Sequence, residues 1–314
     1  MPSKWRVMNI GSAYTGLNLN ITRMPALGEQ TRERIYRYEQ WGRGANTALT
    51  FSRLGADCVF CARVGADSNG RMLRRFYQKN GIDVRFVGED KNVRTGLAVR
   101  MTDDSGGSRT ILYPGANDRL SPADAEEALT CLPDALFLQL DIPDKTMLSA
   151  AQMAREKGIP RFISAVGLEP GFPLEQLGET EIFMLNEIET ARYTGIELRN
   201  TNECTRACIA LKSRTNAHYI VLKLGERGAF LYDGTYSKLL TPYDVDVVDT
   251  AGAGDVFSAA VTIEYLRSGD MERAVEYANI AAAIAISKSG EVASIPSEED
   301  IRCFIYHNKI SFSL

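Results

Sequence analysis

The feature that most constrains this chain is a turn of small residues, 249–255 (Asp-Thr-Ala-Gly-Ala-Gly-Asp). The run before it, 243–248, predicts a strand, and the apolar segment 256–267 after it predicts a helix. Peptide N–H groups at a helix start have no intrahelical partner, and glycine lets a ligand come close to the backbone. The sequence therefore predicts a turn that surrounds an anion such as a phosphate.

Two acids, Asp249 and Asp255, bracket this turn. A single Asp at the start of a helix is usually an N-cap or a first-turn acid that interacts favourably with the helix dipole. A pair around Gly-Ala-Gly allows one carboxylate to hold the structure while the other faces the bound anion. We interpret Asp255 as the functional member of the pair.

The rest of the chain mostly alternates strands and helices, which predicts an α/β fold with a mostly parallel sheet covered on both faces. A second glycine-rich turn, 42–46, begins a helix that stops at Gly55. Ser121 and Ser297 are expected to cap two further helices. The predicted strands are 6–11, 57–64, 84–87, 135–140, 161–165, 182–185 and 219–224, and the other predicted helices are 69–79, 145–157 and 271–288.

Two stretches interrupt the alternation, 13–41 and 95–117. The first reads as short strands, and the second as a hairpin around the glycine-rich turn 103–107. We expect them to pair in space as a small β-sheet lid. The core would then consist of residues 1–12, 42–94 and 118–314.

Composition excludes some classes of function. A net charge of −4 and a pI near 5.5 give no positive field for nucleic acid. No apolar run reaches the roughly 18 to 20 residues of a membrane span. The scattered cysteines read as buried thiols, and the CxxC pair Cys58 and Cys61 lies in a strand-like run without a second pair, so we expect neither a zinc site nor a redox site. We expect a cytoplasmic protein.

The turn 249–255, with the small and apolar residues after it, resembles the C-terminal signature of the ribokinase, or PfkB, family of carbohydrate kinases. Gly42-Arg43-Gly44-Ala45-Asn46 resembles the N-terminal signature, in which a lysine often stands at the position of Arg43. Further segments resemble the family as well, and they make ribokinase the nearest subfamily. They are 54–56, 63–67, 114–117, 138–141, 186–189, 224–228 and 281–296.

This resemblance implies a three-layer sandwich with a small β lid, and an ATP-dependent transfer of phosphate to a sugar hydroxyl. Asp255 would take the proton of that hydroxyl, and the backbone of Gly252, Ala253 and Gly254 would bind the transferred group. A loose transition state demands little proton removal, so alignment and Mg²⁺ would supply most of the catalysis. The residues implied to bind the acceptor are Tyr14, Gly16, Gly42, Arg43, Gly44, Asn46, Asp141 and Asp255.

The resemblance also implies sites for nucleotide and metals. Glu189 would order Mg²⁺ through water, although Asn186 and Glu189 also match an ordinary helix N-cap with an acidic first turn. The residues implied to hold ATP are Asn186, Lys223, Gly225, Gly228, Gly254 and Asn279. Those implied to hold K⁺, mostly through carbonyl oxygens, are Asp249, Ala251, Ala285, Lys288, Gly290 and Ser294. A homodimer through the lid is expected as well, because an apolar face with residues such as Ile35 or Leu97 needs cover.

One departure from the family concerns the substrate. Gly16 stands where most members carry an aspartate that binds sugar hydroxyls, and Tyr14 replaces an asparagine of ribokinases. Losing a charged acceptor costs about 1.5 to 3 kcal/mol unless Asp141, Asn18 or Asn20 takes its place. Glycine is also expected to leave room. The sequence therefore predicts that ribose is a poorer substrate than for ordinary ribokinases, and that a bulkier or differently hydroxylated sugar, or a nucleoside, is preferred.

Other functions were weighed against this interpretation. A dinucleotide-dependent oxidoreductase would need GxGxxG after the first strand, and the chain has none there. A non-catalytic nucleotide-binding protein would be expected to lose the base, yet Asp255 is present. Within the kinase interpretation, a fructokinase, a 2-keto-3-deoxygluconate kinase and a nucleoside kinase remain open.

Overall fold

The computed structural model describes residues 4–32, 35–105, 107–167, 169 and 171–312. Its strands form two separate sheets. The strands in chain order are β1 (Arg6–Ile10), β2 (Tyr14–Ile21), β3 (Ile35–Trp41), β4 (Asp57–Gly65), β5 (Val87–Asp90), β6 (Gly96–Asp103), β7 (Ser108–Tyr113), β8 (Ala135–Gln139), β9 (Arg161–Ser164), β10 (Glu179–Asn186), β11 (Asn216–Lys223), β12 (Ala229–Tyr232) and β13 (Ser237–Leu240).

The larger sheet has the order β13-β12-β11-β10-β9-β8-β1-β4-β5. Every neighbouring pair from β11 to β5 is parallel, and β12 and β13 add an antiparallel edge. Strands buried on both faces are apolar without alternation, as in β8, where all five residues are buried.

Helices cover both faces of this sheet. They are α1 (Arg43–Arg53), α2 (Ser68–Lys79), α3 (Pro122–Ala128), α4 (Asp144–Glu156), α5 (Glu187–Thr194), α6 (Thr201–Lys212), α7 (Ala253–Ser268), α8 (Met271–Ile286), α9 (Glu291–Ser294) and α10 (Glu298–His307). One core joins α1, α2, α7, α8 and α10 to the first face, and a second joins α3, α4 and α6 to the other. The three-layer α/β fold predicted from the alternation is confirmed.

The smaller sheet has the order β3-β2-β6-β7 and takes its strands from both non-alternating stretches. β2 pairs with β6 in parallel across a long sequence separation, while the outer pairs are antiparallel. The register places Tyr38, Leu17, Val99 and Ile111 in one row across all four strands. We refer to this four-stranded sheet as the small sheet.

Some local predictions were wrong. Residues 243–248 form no strand: Val247 and Val248 are exposed, and the Val248 N–H donates to the Ile286 carbonyl at the end of α8. The strand predicted at 84–87 begins only at Val87. α6 and α9 were not predicted, although Asn200 caps α6 in the usual way by accepting from the Glu203 N–H.

In the part of the chain that the structure describes, no helix is long and apolar enough to cross a membrane.

Candidate active site

The predicted site residues gather where the parallel strands of the larger sheet end. Gly11 and Ser12 follow β1, Asp141 follows β8, and Asn186 and Lys223 are the last residues of β10 and β11. In open α/β sheets, ligands bind in the crevice at the carboxyl ends of the strands. The turn 249–255 and the first turn of α1 lie at the same edge, because Asn46 of α1 contacts Asp255 of α7.

The turn before α7 has the form that an anion site requires. Gly252 is the N-cap residue with a left-handed φ of 75°, and no side chain caps this helix start among the described residues. The Oδ1 atom of Asp249 accepts from the Ala251 N–H at 3.0 Å and so holds the turn. Asp255 is not the N-cap of α7 but an acid in its first turn, where it also interacts favourably with the helix dipole.

Asp255 is 8% exposed, and its Oδ2 atom lies 3.1 Å from the Asn46 amide nitrogen. Burial raises the pKa of Asp255, opposed by the charge of Arg43, the Asn46 hydrogen bond and the charge of Lys223. A carboxylate whose pKa is raised is a stronger base than one in water. The nearby cations oppose this shift and favour the ionised form.

The glycines of the first turn of α1 allow the helix to approach the loop after β1. A Cβ atom on Gly44 would stand 2.6 Å from Gly11 and Ser12 backbone atoms. Gly42 has a φ of 122°, and a Cβ there would stand 2.8 Å from the Ser12 carbonyl oxygen. The Asn9 side chain donates to the Gly44 carbonyl at 2.7 Å and fixes this contact.

Asp141 lies across the site from α1. The Ser12 hydroxyl donates to its Oδ2 atom at 2.5 Å, while its Oδ1 atom is buried and has no hydrogen-bond partner among the described residues. Burial raises the pKa of Asp141 to about 6, against the opposing effect of the Ser12 hydrogen bond. Tyr14 is buried beside it, and burial followed by the Asp141 charge raises the pKa of its phenol. The free oxygen of Asp141 is available to a ligand.

The expectation that Gly16 leaves room is wrong. A Cβ atom on Gly16 would stand 3.0 Å from the Cβ and 3.2 Å from the Cγ of Trp41. The reason is the pairing of β2 with β3, which sets Tyr14 opposite Trp41 and brings the indole over the glycine. Asn18 does not replace the missing acid freely, since its amide donates to Glu39 at 2.8 Å, and Asn20 is exposed.

Asn186 and Glu189 form a reciprocal capping box at the start of α5. The Asn186 side chain accepts from the Glu189 N–H at 2.8 Å, and the Glu189 carboxylate accepts from the Asn186 N–H at 2.9 Å. The structural interpretation of this pair is therefore confirmed. Glu189 is also buried at the site edge of the sheet, where its charge opposes the lowering of the Lys223 pKa by burial. One Glu189 oxygen remains for a second role.

The predicted nucleotide residues occupy neighbouring loops. The Lys223 ammonium donates to the Ser258 hydroxyl at 3.1 Å, on the first turns of α7. Gly228 has a left-handed φ of 87°, and a Cβ there would stand 2.1 Å from the Leu240 carbonyl oxygen. Asn279 is 5% exposed and donates to the Leu240 and Thr241 carbonyls, so it is not a simple surface residue. Gly225, in contrast, has open space where a Cβ would stand.

The predicted K⁺ residues converge beside the turn 249–255. Asp249 and Val248 donate their N–H groups to the Ile286 carbonyl at the end of α8. The Ser294 N–H donates to the Gly290 carbonyl at 2.9 Å, and the Lys288 side chain turns away to Asp300 at 3.0 Å. The described residues contain no cluster of at least three His, Cys, Asp or Glu side chains that could hold a metal.

Sequence reasoning missed Glu291, the first residue of α9. It is 6% exposed, and its Oε2 atom lies 3.4 Å from the same Asn46 nitrogen that contacts Asp255. Its Oε1 atom lies 3.6 Å from Arg100 of the small sheet. Burial raises the pKa of Glu291 to about 7, against the opposing effect of the Trp41 indole. The available signal was an acid in the otherwise small or apolar segment 290–295.

The chain is similar to known carbohydrate kinases over most of its length. The family model described as pfkB family carbohydrate kinase matches residues 6–298. The ribokinase of Haemophilus influenzae is 27% identical over 282 residues, which covers 89% of this chain and 92% of that protein. An ATP-dependent ribose-1-phosphate kinase of Halopiger xanaduensis is 28% identical over 306 residues, which cover 96% of this chain and 98% of that protein. The structure of Arabidopsis thaliana ribokinase complexed with ribose and ATP superposes with a TM-score of 0.87 at 25% identity. The superposition covers 96% of this chain and 99% of that one.

The fold and the site define a carbohydrate kinase, a phosphotransferase with an alcohol group as acceptor. The chain belongs to the pfkB family. Within that family it is an ATP-dependent sugar kinase of the ribokinase-like type.

Proposed function

We propose that this kinase transfers the γ-phosphate of ATP to a primary hydroxyl of its sugar at the turn 249–255, with Asp255 as the base. The observation that carries the proposal is the position of Asp255: a buried carboxylate inside the first turn of α7, held by Asn46 at 3.1 Å. The same turn thus supplies this carboxylate and a helix start that no side chain caps among the described residues, which is the kind of place where anions bind.

The reaction is an in-line displacement. The sugar hydroxyl gives its proton to the Asp255 carboxylate, its oxygen forms a bond to the γ-phosphorus, and the bond to ADP breaks. The backbone at Gly252, Ala253 and Gly254 stabilises the charge of the phosphoryl group in transit. The helix dipole contributes at most about 2 kcal/mol, so alignment of the two substrates must supply much more.

The metal sites follow from the same interpretation. Glu189, with one oxygen outside the capping box, would order Mg²⁺ through water near the phosphates. Mg²⁺ when bound would neutralise phosphate charge. K⁺ would bind the carbonyls of Ala251, Ala285 and Gly290, with Asp249 and Ser294 completing the site, and would stiffen the turn. Lys223, Asn279 and the turn 225–228 would hold the nucleotide beside Gly254.

The small sheet, with its flanking residues 13–41 and 95–117, would act as a lid, and 1–12, 42–94 and 118–314 as the core. Arg100 on the sheet contacts Glu291 of the core, so the face that carries Arg100 is turned toward the site. The opposite face carries the row from Tyr38 to Ile111, whose end residues are 62% and 63% exposed.

An exposed apolar sheet face of this kind needs a partner, which supports a homodimer through the lid. Leu97 lies on this face, in register with Thr15 and Tyr113. The Ile35 side chain lies outside the described part of the structure. The unpaired state of Cys58, Cys61, Cys131, Cys204, Cys208 and Cys303 supports a reducing compartment such as the cytoplasm.

Ribose is proposed to be a weaker substrate here than for kinases that carry a carboxylate at the position of Gly16. The lost acceptor is worth about 1.5 to 3 kcal/mol, or roughly ten- to a hundredfold in affinity. A differently hydroxylated sugar or a nucleoside would be preferred. We propose no preference for a bulkier substrate, because Trp41 fills the space beside Gly16.

An ATP-consumption assay with ketoses, aldoses, sugar acids and nucleosides tests the function. We expect turnover of at least one sugar, and in Asp255→Asn a loss of about 10²- to 10⁴-fold in kcat with the fold retained, because the amide cannot accept the proton. Turnover by purified Asp255→Asn within a few-fold of wild type would show that Asp255 is not the base.

A further inference from the structure

Glu291 is a buried carboxylate that the phosphoryl transfer itself does not use. It projects from α9 to the point where the core meets the small sheet, within 3.6 Å of Arg100. The Asn46 amide nitrogen stands between the two carboxylates, 3.1 Å from Asp255 and 3.4 Å from Glu291. Glu291 therefore lies next to the atom that receives the acceptor's proton in the proposed reaction.

The polar groups around Glu291 have unused hydrogen-bonding capacity. Asn46 is 3% exposed, yet its Oδ1 atom has no hydrogen-bond partner among the described residues. Buried polar atoms are almost always paired in native proteins. A free acceptor beside a carboxylate matches the hydroxyl groups of a sugar, since a hydroxyl can donate to either of them.

The small sheet explains why the carboxylate comes from α9. β2 offers glycine at position 16, where an added Cβ atom would stand 3.0 Å from the Cβ of Trp41 on β3. A carboxylate cannot enter the site from that strand without displacing the indole. Glu291 enters from the core side, beneath Trp41, where the indole influences its ionisation.

We propose that Glu291 binds the hydroxyls of the acceptor next to the reacting one, and that it selects neutral sugars over acidic ones. This inference rests on the proposed kinase function. A sugar acid or sugar phosphate whose anionic group faced Glu291 would meet a like charge in a buried site. Arg100, 3.6 Å from Glu291, balances the charge of that carboxylate and leaves no positive charge over for a second anion.

Removing the charge of Glu291 should have opposite effects on neutral and on acidic sugars. Replacing Glu291 by glutamine keeps the shape of the side chain but removes its charge. Arg100 then loses its ionic partner and becomes available to an anionic substrate. The variant is expected to bind neutral sugars less well and acidic sugars better, and a residue with a purely structural role would not produce such an exchange.

The experiment compares wild type, Glu291→Gln and Glu291→Ala on the best neutral sugar of the panel and on 2-keto-3-deoxygluconate. We expect KM for the neutral sugar to rise about tenfold in Glu291→Gln and more in Glu291→Ala, with KM for ATP unchanged. The preference for neutral over acidic sugar, as a ratio of kcat/KM values, is expected to fall at least about tenfold in Glu291→Gln. Calorimetric titration of the sugar without ATP gives a readout independent of turnover.

Glu264→Gln is the matched control, since Glu264 is also buried and paired with arginines, but lies toward the other end of α7. It is expected to change neither KM nor the preference. Unchanged sugar affinity and preference in folded Glu291 variants would overturn the inference while leaving the kinase function intact. A wild type that phosphorylates no sugar at all would overturn the proposed function instead.

Discussion

Replacing Gly254 by alanine should change stability and activity in opposite directions. Gly254 lies in the first turn of α7, and a Cβ atom there would meet only the Lys223 ammonium, at 3.8 Å. The protein therefore has room for alanine. Alanine is favoured over glycine in helices by up to about 1 kcal/mol, so Gly254→Ala should raise stability by roughly 0.5 to 1 kcal/mol. That corresponds to about 1 to 3 °C in Tm.

The same methyl group should abolish most of the activity. It would point toward Lys223, into the space where the proposed reaction places the phosphate groups. A displacement of about 1 Å from the reactive geometry costs about 10²-fold in rate. We therefore expect kcat/KM for the sugar to fall at least about a hundredfold while the protein becomes more stable.

Two other glycines provide the comparison. Gly88→Ala is the control, because a Cβ there makes only ordinary contacts, the nearest at 3.8 Å, on β5 away from the site; its activity should be unchanged. Gly44→Ala should instead lose about 1 to 3 kcal/mol, since its Cβ would overlap the backbone of Gly11 and Ser12 at 2.6 Å. Thermal unfolding with steady-state kinetics measures all three. Activity of Gly254→Ala within about threefold of wild type would refute the placement of the phosphate.

The remaining predictions concern ionisation, cations and assembly. Glu291 holds its proton more tightly in the native state (pKa about 7) than when unfolded, so it makes stability fall as pH rises from about 4.5 to 7, by about 3 kcal/mol in total. Denaturant unfolding of Glu291→Gln should lack this decline, and an identical pH profile would argue against burial of the charge. Activity should be higher in K⁺ than in Na⁺ if a cation holds the carbonyls at Ala251 and Gly290; equal rates in K⁺ and in a large organic cation would contradict that site. Sedimentation at micromolar concentration should show a dimer that Ile111→Lys dissociates, and a monomeric wild type would contradict dimerisation through the lid.

Much of the fold is determined locally and was predictable. The alternation of apolar strands with helices gave the layered architecture, since each element carries its own periodicity. Ser121, Ser297 and Gly55 mark helix ends as expected, because caps depend on neighbours only a few residues away. The strand predicted at 243–248 does not form. A strand also needs a neighbouring strand to pair with, and the sequence of the segment does not show whether one is available.

The turn 249–255, where we propose that catalysis takes place, belongs to the part that the sequence determines by itself. Asp249, Gly252 and Asp255 lie within seven residues of backbone, so the local conformation of the chain largely fixes their relative positions. The acceptor side belongs to the tertiary structure. Glu291 meets Asn46 across 245 residues of chain, and Arg100 reaches it only because the small sheet is folded over the core. Such contacts depend on packing between distant elements, and no local pattern of residue types encodes them.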